Sequence, residues 1–200
     1  MSAGRKREFE TNKALHNAML TFWEKGFTGA SLTDLTTNMG INKPSLYSAF
    51  GNKENLFVSA TDYYTQTYSL PNIAKLHADN LSVKQRLTNF LVAVIKTQCE
   101  PKLPSGCFVS LCASEVAGEC MPDKAVEAIR KVQNATEEYL AEFFEQEKQQ
   151  GNLAIHFDVS LSTLFTMTFI HGTAAMARSG KSVDEIEQMI KPAVNSILPI

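Results

Sequence analysis

Apolar residues that recur every three to four positions are the feature that most limits what this chain can fold into. In the first such stretch they are Leu15, Ala18, Met19, Phe22 and Trp23. The period places them on one face of an α-helix. No stretch alternates apolar and polar residues between hairpin turns, as a half-buried strand does. The pattern therefore predicts an all-α chain.

Capping and breaking signals divide the chain into about nine helices. A serine three residues ahead of an acid or amide has the spacing of a capping box. It occurs at Ser31 with Asp34, Ser82 with Gln85, and Ser182 with Glu185. A fourth helix is predicted from Lys53 to about Leu70, ahead of Pro71. Pro192 is predicted to kink the last helix.

Charge divides the chain unevenly. Residues 1–56 carry seven Lys/Arg against five Asp/Glu, and residues 57–200 carry twelve against sixteen. The first quarter is mildly basic and the remainder acidic, although the whole chain has a net charge of −2. We predict a helical domain at residues 8–57, followed by a larger helical bundle at residues 58–200.

Other features bear on the compartment. No run approaches the roughly 18 apolar residues that span a membrane, and the N-terminus lacks the apolar region of a signal peptide. The four cysteines include no C-x-x-C pair and no zinc spacing. We expect a cytoplasmic protein with reduced thiols, no metal and no cofactor.

The stretch GINKPSLYSAFGNKENLF, residues 40–57, contains a helix of barely two turns. Its predicted cap is Asn42. The predicted inward residues are Leu46, Ala49 and Phe50. This helix and the one before it, joined by the turn MGIN, are too short to be stable alone. Braced by a longer first helix, they form a helix-turn-helix unit.

The outward side of this helix carries residues that suit DNA. In helix-turn-helix proteins the second helix lies in the major groove, with its N-terminal residues at base edges. Here those residues are Lys43, Pro44 and Ser45, followed outward by Tyr47 and Ser48. Lysine donates to guanine, serine donates to bases or phosphates, and proline can touch a thymine methyl group. The set predicts DNA binding.

Residues 15–57, LHNAMLTFWEKGFTGASLTDLTTNMGINKPSLYSAFGNKENLF, resemble the N-terminal domain of TetR-family transcriptional repressors. The matched features are the apolar first helix ending in KGF, the SLTDL helix, the recognition helix GINKPSLYSAF and the following NKENLF. The remaining residues resemble the family only in helical layout and length. One departure is that Lys43-Pro44 replaces the small Gly-containing start common in relatives, which leaves the base preference open.

The resemblance implies a set of DNA contacts. Ser31 and Thr33 would contact phosphates at the start of the second helix. The base contacts would come from Lys43, Pro44, Ser45 and Ser48. Tyr47 and Lys53 would contact further phosphates. Arg5, Lys6 and Arg7 would form a flexible arm that reaches phosphates or the minor groove. Taken singly, Tyr47 could instead pack against the first helix, and Lys53 could be an ordinary solvated charge.

Two C-terminal segments are predicted to form a homodimer interface. A single helix-turn-helix makes few phosphate contacts, whereas a dimer places two reading helices roughly 34–36 Å apart on a pseudo-palindromic operator of double-stranded DNA. Residues 159–178 are apolar nearly all round and include the small residues of HGTAAMA. Together with residues 184–198 they suit a contact between two identical faces. The alternative is that both helices serve only the core of one chain.

The middle helices are predicted to enclose a mostly apolar pocket for a small-molecule effector. The candidate lining residues are Phe90, Val94, Cys107, Phe108, Leu111, Cys112, Tyr139, Phe143, Phe165, Phe169 and His171. Each of the aromatic residues, taken singly, is more often plain core than the wall of a ligand site. The sequence thus predicts a transcriptional regulator. We expect it to be a repressor that leaves its operator when a small-molecule ligand binds.

Cys107 supports an alternative, a repressor that senses oxidants or electrophiles through its thiol. It falls in the first turn of a predicted helix, where backbone N–H groups favour a thiolate. Some TetR-family repressors are similar here, with a Gly-Cys pair and a cysteine switch. Two weaker alternatives are a thiol-dependent enzyme and a helical adaptor that does not bind DNA. Neither accounts for residues 40–57, so we predict that the chain is not an enzyme.

Overall fold

The computed structural model describes residues 12–198, together with the helical assignment of residues 3–11, and all regular structure in this part of the chain is helical. The all-α prediction is therefore confirmed. The helices are α1 (Ala3–Gly29), α2 (Leu32–Met39), α3 (Lys43–Phe50), α4 (Lys53–Tyr64), α5 (Leu70–Ile73), α6 (Val83–Gln98), α7 (Phe108–Val116), α8 (Asp123–Gln149), α9 (Val159–Arg178), α10 (Val183–Glu187) and α11 (Ile190–Ile197).

Within the described residues these helices group into the nine segments expected. A π-helical turn, Thr65–Ser69, joins α4 to α5, and a 3₁₀ turn, Ala74–His77, extends α5. The fourth segment therefore continues past Pro71 instead of ending before it. Pro71 lies in the first turn of α5, where a missing N–H costs little. The widened turn ahead of it relieves the clash between the proline ring and the preceding helical turn.

The last segment is kinked as predicted. The break between α10 and α11 falls at Gln188 and Met189. Gln188 lies four residues ahead of Pro192, so Pro192 cannot donate the hydrogen bond that the Gln188 carbonyl would accept in a regular helix.

The described chain forms two compact units. The first comprises Met1–Thr67 and Phe108–Lys131, and the second comprises Tyr68–Cys107 and Val132–Ile200. Helix α7 and the beginning of α8, predicted to belong to the larger bundle, thus pack in the same unit as α1–α4. The functional division between residues 8–57 and 58–200 stays a prediction.

Aromatic side chains fill the core of the first unit. The Phe22 and Phe57 rings meet edge to face with centroids 5.0 Å apart, and Trp23 meets Tyr64 in the same way at 5.1 Å. Phe108 of α7 adds a third layer, 5.1 Å from Tyr64. Each such ring contributes about 1.5–3 kcal/mol through burial. These contacts make the first unit a stable base for its shorter helices.

The second unit packs α6, α8, α9 and α11 around an aliphatic and aromatic cluster. A buried ion pair borders it: Arg86 Nη2 lies 2.7 Å from Glu147 Oε2, and the guanidinium lies over the Phe143 ring. Tyr139, a candidate lining residue of the predicted pocket, has a side chain that is 38% exposed. The buried side of α8 here is narrow and centred on Leu140 and its helical neighbours, which leaves Tyr139 at the margin.

Candidate nucleic-acid interface

A tight turn sets the direction of α3 relative to α2. Gly40 ends α2 in the left-handed conformation, with φ 69°, and its N–H bonds back to the carbonyls of the last turn. Two residues later, Asn42 Oδ1 accepts a 2.8 Å hydrogen bond from the Ser45 N–H and so caps α3. Backbone hydrogen-bonding groups at the end of α2 and at the start of α3 thus find partners within a three-residue connection. Two helices joined by so short a turn have the helix-turn-helix geometry.

Helix α3 presents most of its surface to solvent. Lys43, Pro44, Ser45 and Ser48 are exposed, and Tyr47 is 47% exposed. The predicted base-reading residues thus lie on the open side of the helix, and Tyr47 does not pack into the core.

The inward side of α3 is narrower than predicted. Leu46 is fully buried and Phe50 half-buried, whereas Ala49 is exposed. The helix therefore contacts its own unit through two side chains one turn apart, which leaves nearly all of its polar residues available to a partner.

A polar network that the sequence did not reveal fastens α2 to α1. Asn17 Nδ2 donates to the Asn38 carbonyl oxygen at 2.8 Å, and Asn38 Nδ2 donates to Thr21 Oγ1 at 3.0 Å. Thr21 Oγ1 in turn donates to the Asn17 carbonyl oxygen at 2.8 Å. The sequence did hold one signal, the polar Thr21 inside the apolar run MLTFW. A hydroxyl in such a run is expected to be buried and to need a hydrogen-bond partner, and Thr21 is 2% exposed.

The start of α2 is held by a capping box and an ion pair. Ser31 Oγ accepts from the Asp34 N–H at 3.0 Å and donates to Asp34 Oδ2 at 2.6 Å. The Lys25 ammonium lies 2.7 Å from Asp34 Oδ1. The bonds from Lys25 and then Ser31 lower the pKa of Asp34 to about 2. The Ser31 hydroxyl thus already serves the helix, while Thr33 is exposed beside it.

Lys53, at the start of α4, is half-buried rather than fully solvated. Its ammonium lies over the Phe27 ring, 4.4 Å from the centroid. Burial lowers the pKa of Lys53, and the nearby Glu115 carboxylate opposes that shift. The predicted phosphate contact of Lys53 stays a prediction. The other expected backbone contacts, from Arg5, Lys6 and Arg7, lie outside the residues whose side chains are described.

The candidate pocket residues are divided between the two units. In the first unit, Phe108 and Cys112 are buried and Leu111 is half-buried. In the second unit, Phe90 and Phe143 are buried in the core, Val94, Cys107, Phe169 and His171 are half-buried, and Tyr139 and Phe165 are exposed. Burial lowers the pKa of His171.

Two of these residues, Phe165 and Phe169, line a common groove of about 670 Å³ beside α9 and α10. Its other walls include Met176, Ile186 and Met189. Binding of an effector by any of the eleven candidates stays a prediction.

The predicted dimer segments carry exposed apolar side chains. On α9 and the following helices, Leu161 and Leu164 are each 61% exposed, and Phe165, Met176 and Met189 are 41%, 46% and 56% exposed. An apolar surface of this kind is typical of an interaction site.

Cys107 precedes α7 by one residue instead of lying in its first turn, because α7 begins at Phe108. It is half-buried, and the four cysteines, all in the described part of the chain, form no disulfide.

The described residues include no helix long and apolar enough to cross a membrane. They also hold no group of three or more His, Cys, Asp or Glu side chains placed to bind a metal ion. The first unit, with its capped two-helix turn and exposed polar second helix, defines a helix-turn-helix DNA-binding protein.

Comparison with known proteins identifies the family. Residues 14–60 match the model described as bacterial regulatory proteins, tetR family, and residues 83–192 match the tetracyclin repressor-like C-terminal domain. The chain therefore belongs to the tetR family of bacterial regulatory proteins. It is a DNA-binding transcriptional regulator.

Individual relatives align with nearly the whole length of this chain. The HTH-type transcriptional repressor ComR of Escherichia coli K12 is 29% identical and covers 94% of this chain and 89% of its own. The repressor BdcR of the same strain is 29% identical, with 98% and 94% covered. A cysteine mutant of the TetR family regulator CifR, solved with 26bp double-strand operator DNA, is 27% identical with a TM-score of 0.81, covering 92% and 95%.

Proposed function

We propose that this regulator is a repressor that binds a pseudo-palindromic operator as a homodimer and leaves it when a small-molecule effector binds. The observation that carries the proposal is the surface of α3, where Lys43, Pro44, Ser45, Tyr47 and Ser48 are all exposed. A helix with so little buried surface contributes little to its own core. Its residues are those that a major-groove reader uses.

The proposed contacts fall into two classes. Lys43 at the start of α3 donates to a guanine, and Ser45 and Ser48 donate to base edges or phosphates. Tyr47 holds a phosphate, and Thr33, exposed at the start of α2, holds another. Because phosphate contacts carry no sequence information, Lys43 is the residue expected to affect the choice of operator most.

Release requires an effector with different affinities for two conformations. A tenfold loss of operator affinity takes about 1.4 kcal/mol of such preference, and a complete switch takes about 5.5 kcal/mol. Two effector sites in a homodimer can share the larger figure. In this proposal the protein acts in the cytoplasm through binding alone and catalyses no reaction.

The test is a pull-down of fragmented genomic DNA by the purified protein at about 100–150 mM salt, where nonspecific binding is weak. Wild type is expected to enrich a short pseudo-palindrome. The Lys43→Ala, Tyr47→Ala double variant is expected to lose it. A control, Lys124→Ala with Lys131→Ala, removes two exposed lysine side chains from α8 and is expected to enrich the wild-type site. No enriched site with wild type would reject the proposed binding of a pseudo-palindromic operator by the effector-free protein.

A second candidate is release through the thiol of Cys107. The supporting observation is its position, half-buried at the entrance to α7 and next to Gly106, which is held against α9. The test treats the reduced dimer with N-ethylmaleimide and measures operator binding. Thiol sensing predicts that wild type and Cys120→Ser release DNA on treatment while Cys107→Ser does not. Equal release by all three would reject it.

A further inference from the structure

Glu115 of α7 makes a contact that DNA binding as described above does not use. Its carboxylate accepts two backbone hydrogen bonds from the end of α1, 2.7 Å from the Phe27 N–H to Oε2 and 3.1 Å from the Thr28 N–H to Oε1. Glu115 lies 88 residues from Phe27 in the sequence. Each carboxylate oxygen therefore serves one N–H, the arrangement of an anion bound by successive backbone amides.

The shape of α1 depends on this contact. At Gly26 the backbone leaves the helical conformation, with φ 74° and ψ 178°, and the next two N–H groups donate to Glu115. A Cβ at Gly26 would lie 2.5–2.6 Å from the Glu115 carboxylate atoms. Glycine is thus required twice here, for its positive φ and for the approach of the carboxylate.

The anchored turn lies directly ahead of residues that face DNA. Gly29 and the buried Ala30 separate the turn from Ser31, the cap of α2. Phe27 also carries the Lys53 ammonium on its ring, and the Glu115 charge acts on that ammonium. One carboxylate therefore fixes the approach to α2 and stabilises the cation at the start of α4.

We propose that Glu115 is a positioning residue for DNA binding: through the turn at 26–28 it holds the start of α2 and Lys53 in the arrangement that binds the operator. The proposal rests on the proposed function. It also gives α7 a role in the unit that contains the helix-turn-helix. The chain enters α7 directly from Cys107 of the second unit. A change that moves α7 would therefore alter DNA affinity through the Glu115 carboxylate.

The test compares Glu115→Gln with Glu127→Gln in the full-length protein. Glu127 is exposed on the first part of α8, so its variant makes the same charge change without touching the turn. Each protein is titrated with the enriched operator duplex and with a scrambled duplex of equal length. In the Gln variant one of the two accepting oxygens becomes an NH2 group, which donates and cannot accept an N–H. The loss of that charge-assisted bond predicts operator binding weaker by about tenfold or more.

Binding to the scrambled duplex is expected to change equally in both variants, because nonspecific binding depends on charge and not on the placement of α2. Amide exchange at Phe27 and Thr28 is expected to accelerate in Glu115→Gln alone. Gly26→Ala, which crowds the same carboxylate and also strains the positive φ, is expected to weaken operator binding at least as much as Glu115→Gln does. The amide exchange of Phe27 and Thr28, measured in folded protein, keeps the test valid where Glu115→Gln lowers the overall stability.

Equal operator affinity of Glu115→Gln and Glu127→Gln would overturn the inference while leaving the proposed function intact. A parallel loss on both duplexes would overturn it too, since that result indicates general unfolding. If wild type does not prefer the operator over the scrambled duplex, the proposed function fails first and the inference fails with it.

Discussion

Asn17 and Asn38 are 21 residues apart in the sequence, yet the Asn17 side chain donates a 2.8 Å hydrogen bond to the Asn38 carbonyl oxygen. Asn38 lies in the last turn of α2, where carbonyls lack partners within the helix. Helix α1 therefore supplies the hydrogen bond that α2 lacks at its C-terminal end.

Replacing Asn17 with alanine is expected to lower the free energy of unfolding by about 1 kcal/mol, the usual net value of one such bond. Operator affinity is expected to fall as well, since α3 follows Asn38 by only five residues. Urea denaturation and operator titration measure the two effects. Asn134→Ala, on the exposed side of α8, is the control, and identical behaviour of the two variants would contradict the role of Asn17.

Asp34 makes the stability of the reading unit sensitive to acid. Its pKa in the folded chain is lowered from 3.8 to about 2, mainly by the bond from Lys25. A depressed pKa means that the ionised carboxylate stabilises the fold above the unfolded value of 3.8 and that this contribution is lost as pH falls towards 2. Wild type is therefore expected to exceed Asp34→Asn in unfolding free energy at neutral pH.

The difference between the two proteins is expected to shrink as pH falls from about 4 to about 2. Chemical denaturation at several pH values measures it. Asp62→Asn, a charge change on the exposed side of α4, controls for net charge. A difference between wild type and Asp34→Asn that stays constant down to pH 2 would show that the Lys25 and Ser31 bonds do not act on Asp34 as described.

The features predicted correctly from the sequence are those that nearby residues determine. Ser31 with Asp34, Ser82 with Gln85 and Ser182 with Glu185 all form the expected capping boxes. A cap involves four consecutive residues, and a kink at proline follows from one ring. The outward surface of α3 was likewise predictable, because its period and its cap occur within ten residues.

The features that were missed depend on residues far apart. Glu115 looks like an ordinary surface acid in ASEV, and only the fold shows that it reaches Phe27. The membership of α7 in the first unit follows from Phe108 packing against Tyr64, which no local pattern encodes. Tyr139 and Ala49 lie at the margins of their apolar stripes. At such positions helical period alone does not decide between burial and exposure.

Gly106 is held in a conformation and a space that exclude any other side chain. It has φ +89°, and its N–H donates to the Gln98 carbonyl oxygen at 2.8 Å. An added Cβ would lie 2.9 Å from the Ala174 carbonyl oxygen and 2.6 Å from Arg178 Cγ. Gly106→Ala is therefore expected to lower the free energy of unfolding by about 1–3 kcal/mol.

Gly118→Ala is the matched control for that variant, because the nearest atom to its added Cβ is 3.4 Å away and its φ is not positive. Thermal and urea unfolding compare the two. If both variants unfold at the wild-type midpoint, the loop around Gly106 can shift to accept a methyl group. That result would contradict the strain expected in Gly106→Ala.

Leu164 tests the dimer interface. Its side chain is 61% exposed in the single chain, among other apolar residues of α9. Leu164→Asp is expected to shift the protein from dimer to monomer, because a carboxylate buried between two apolar faces loses its hydration without gaining a partner. Sedimentation measures the oligomeric state. Operator affinity is expected to fall with it, since one reading head makes half the contacts.

Ile155→Asp is the matched control for Leu164→Asp. Ile155 is 86% exposed and lies in the loop before α9, outside the predicted interface. The same chemical change there is expected to leave both the dimer and operator binding unaltered. A Leu164→Asp protein that remains dimeric and binds the operator as wild type does would exclude this part of α9 from the interface. The two reading helices would then have to be brought together by another surface.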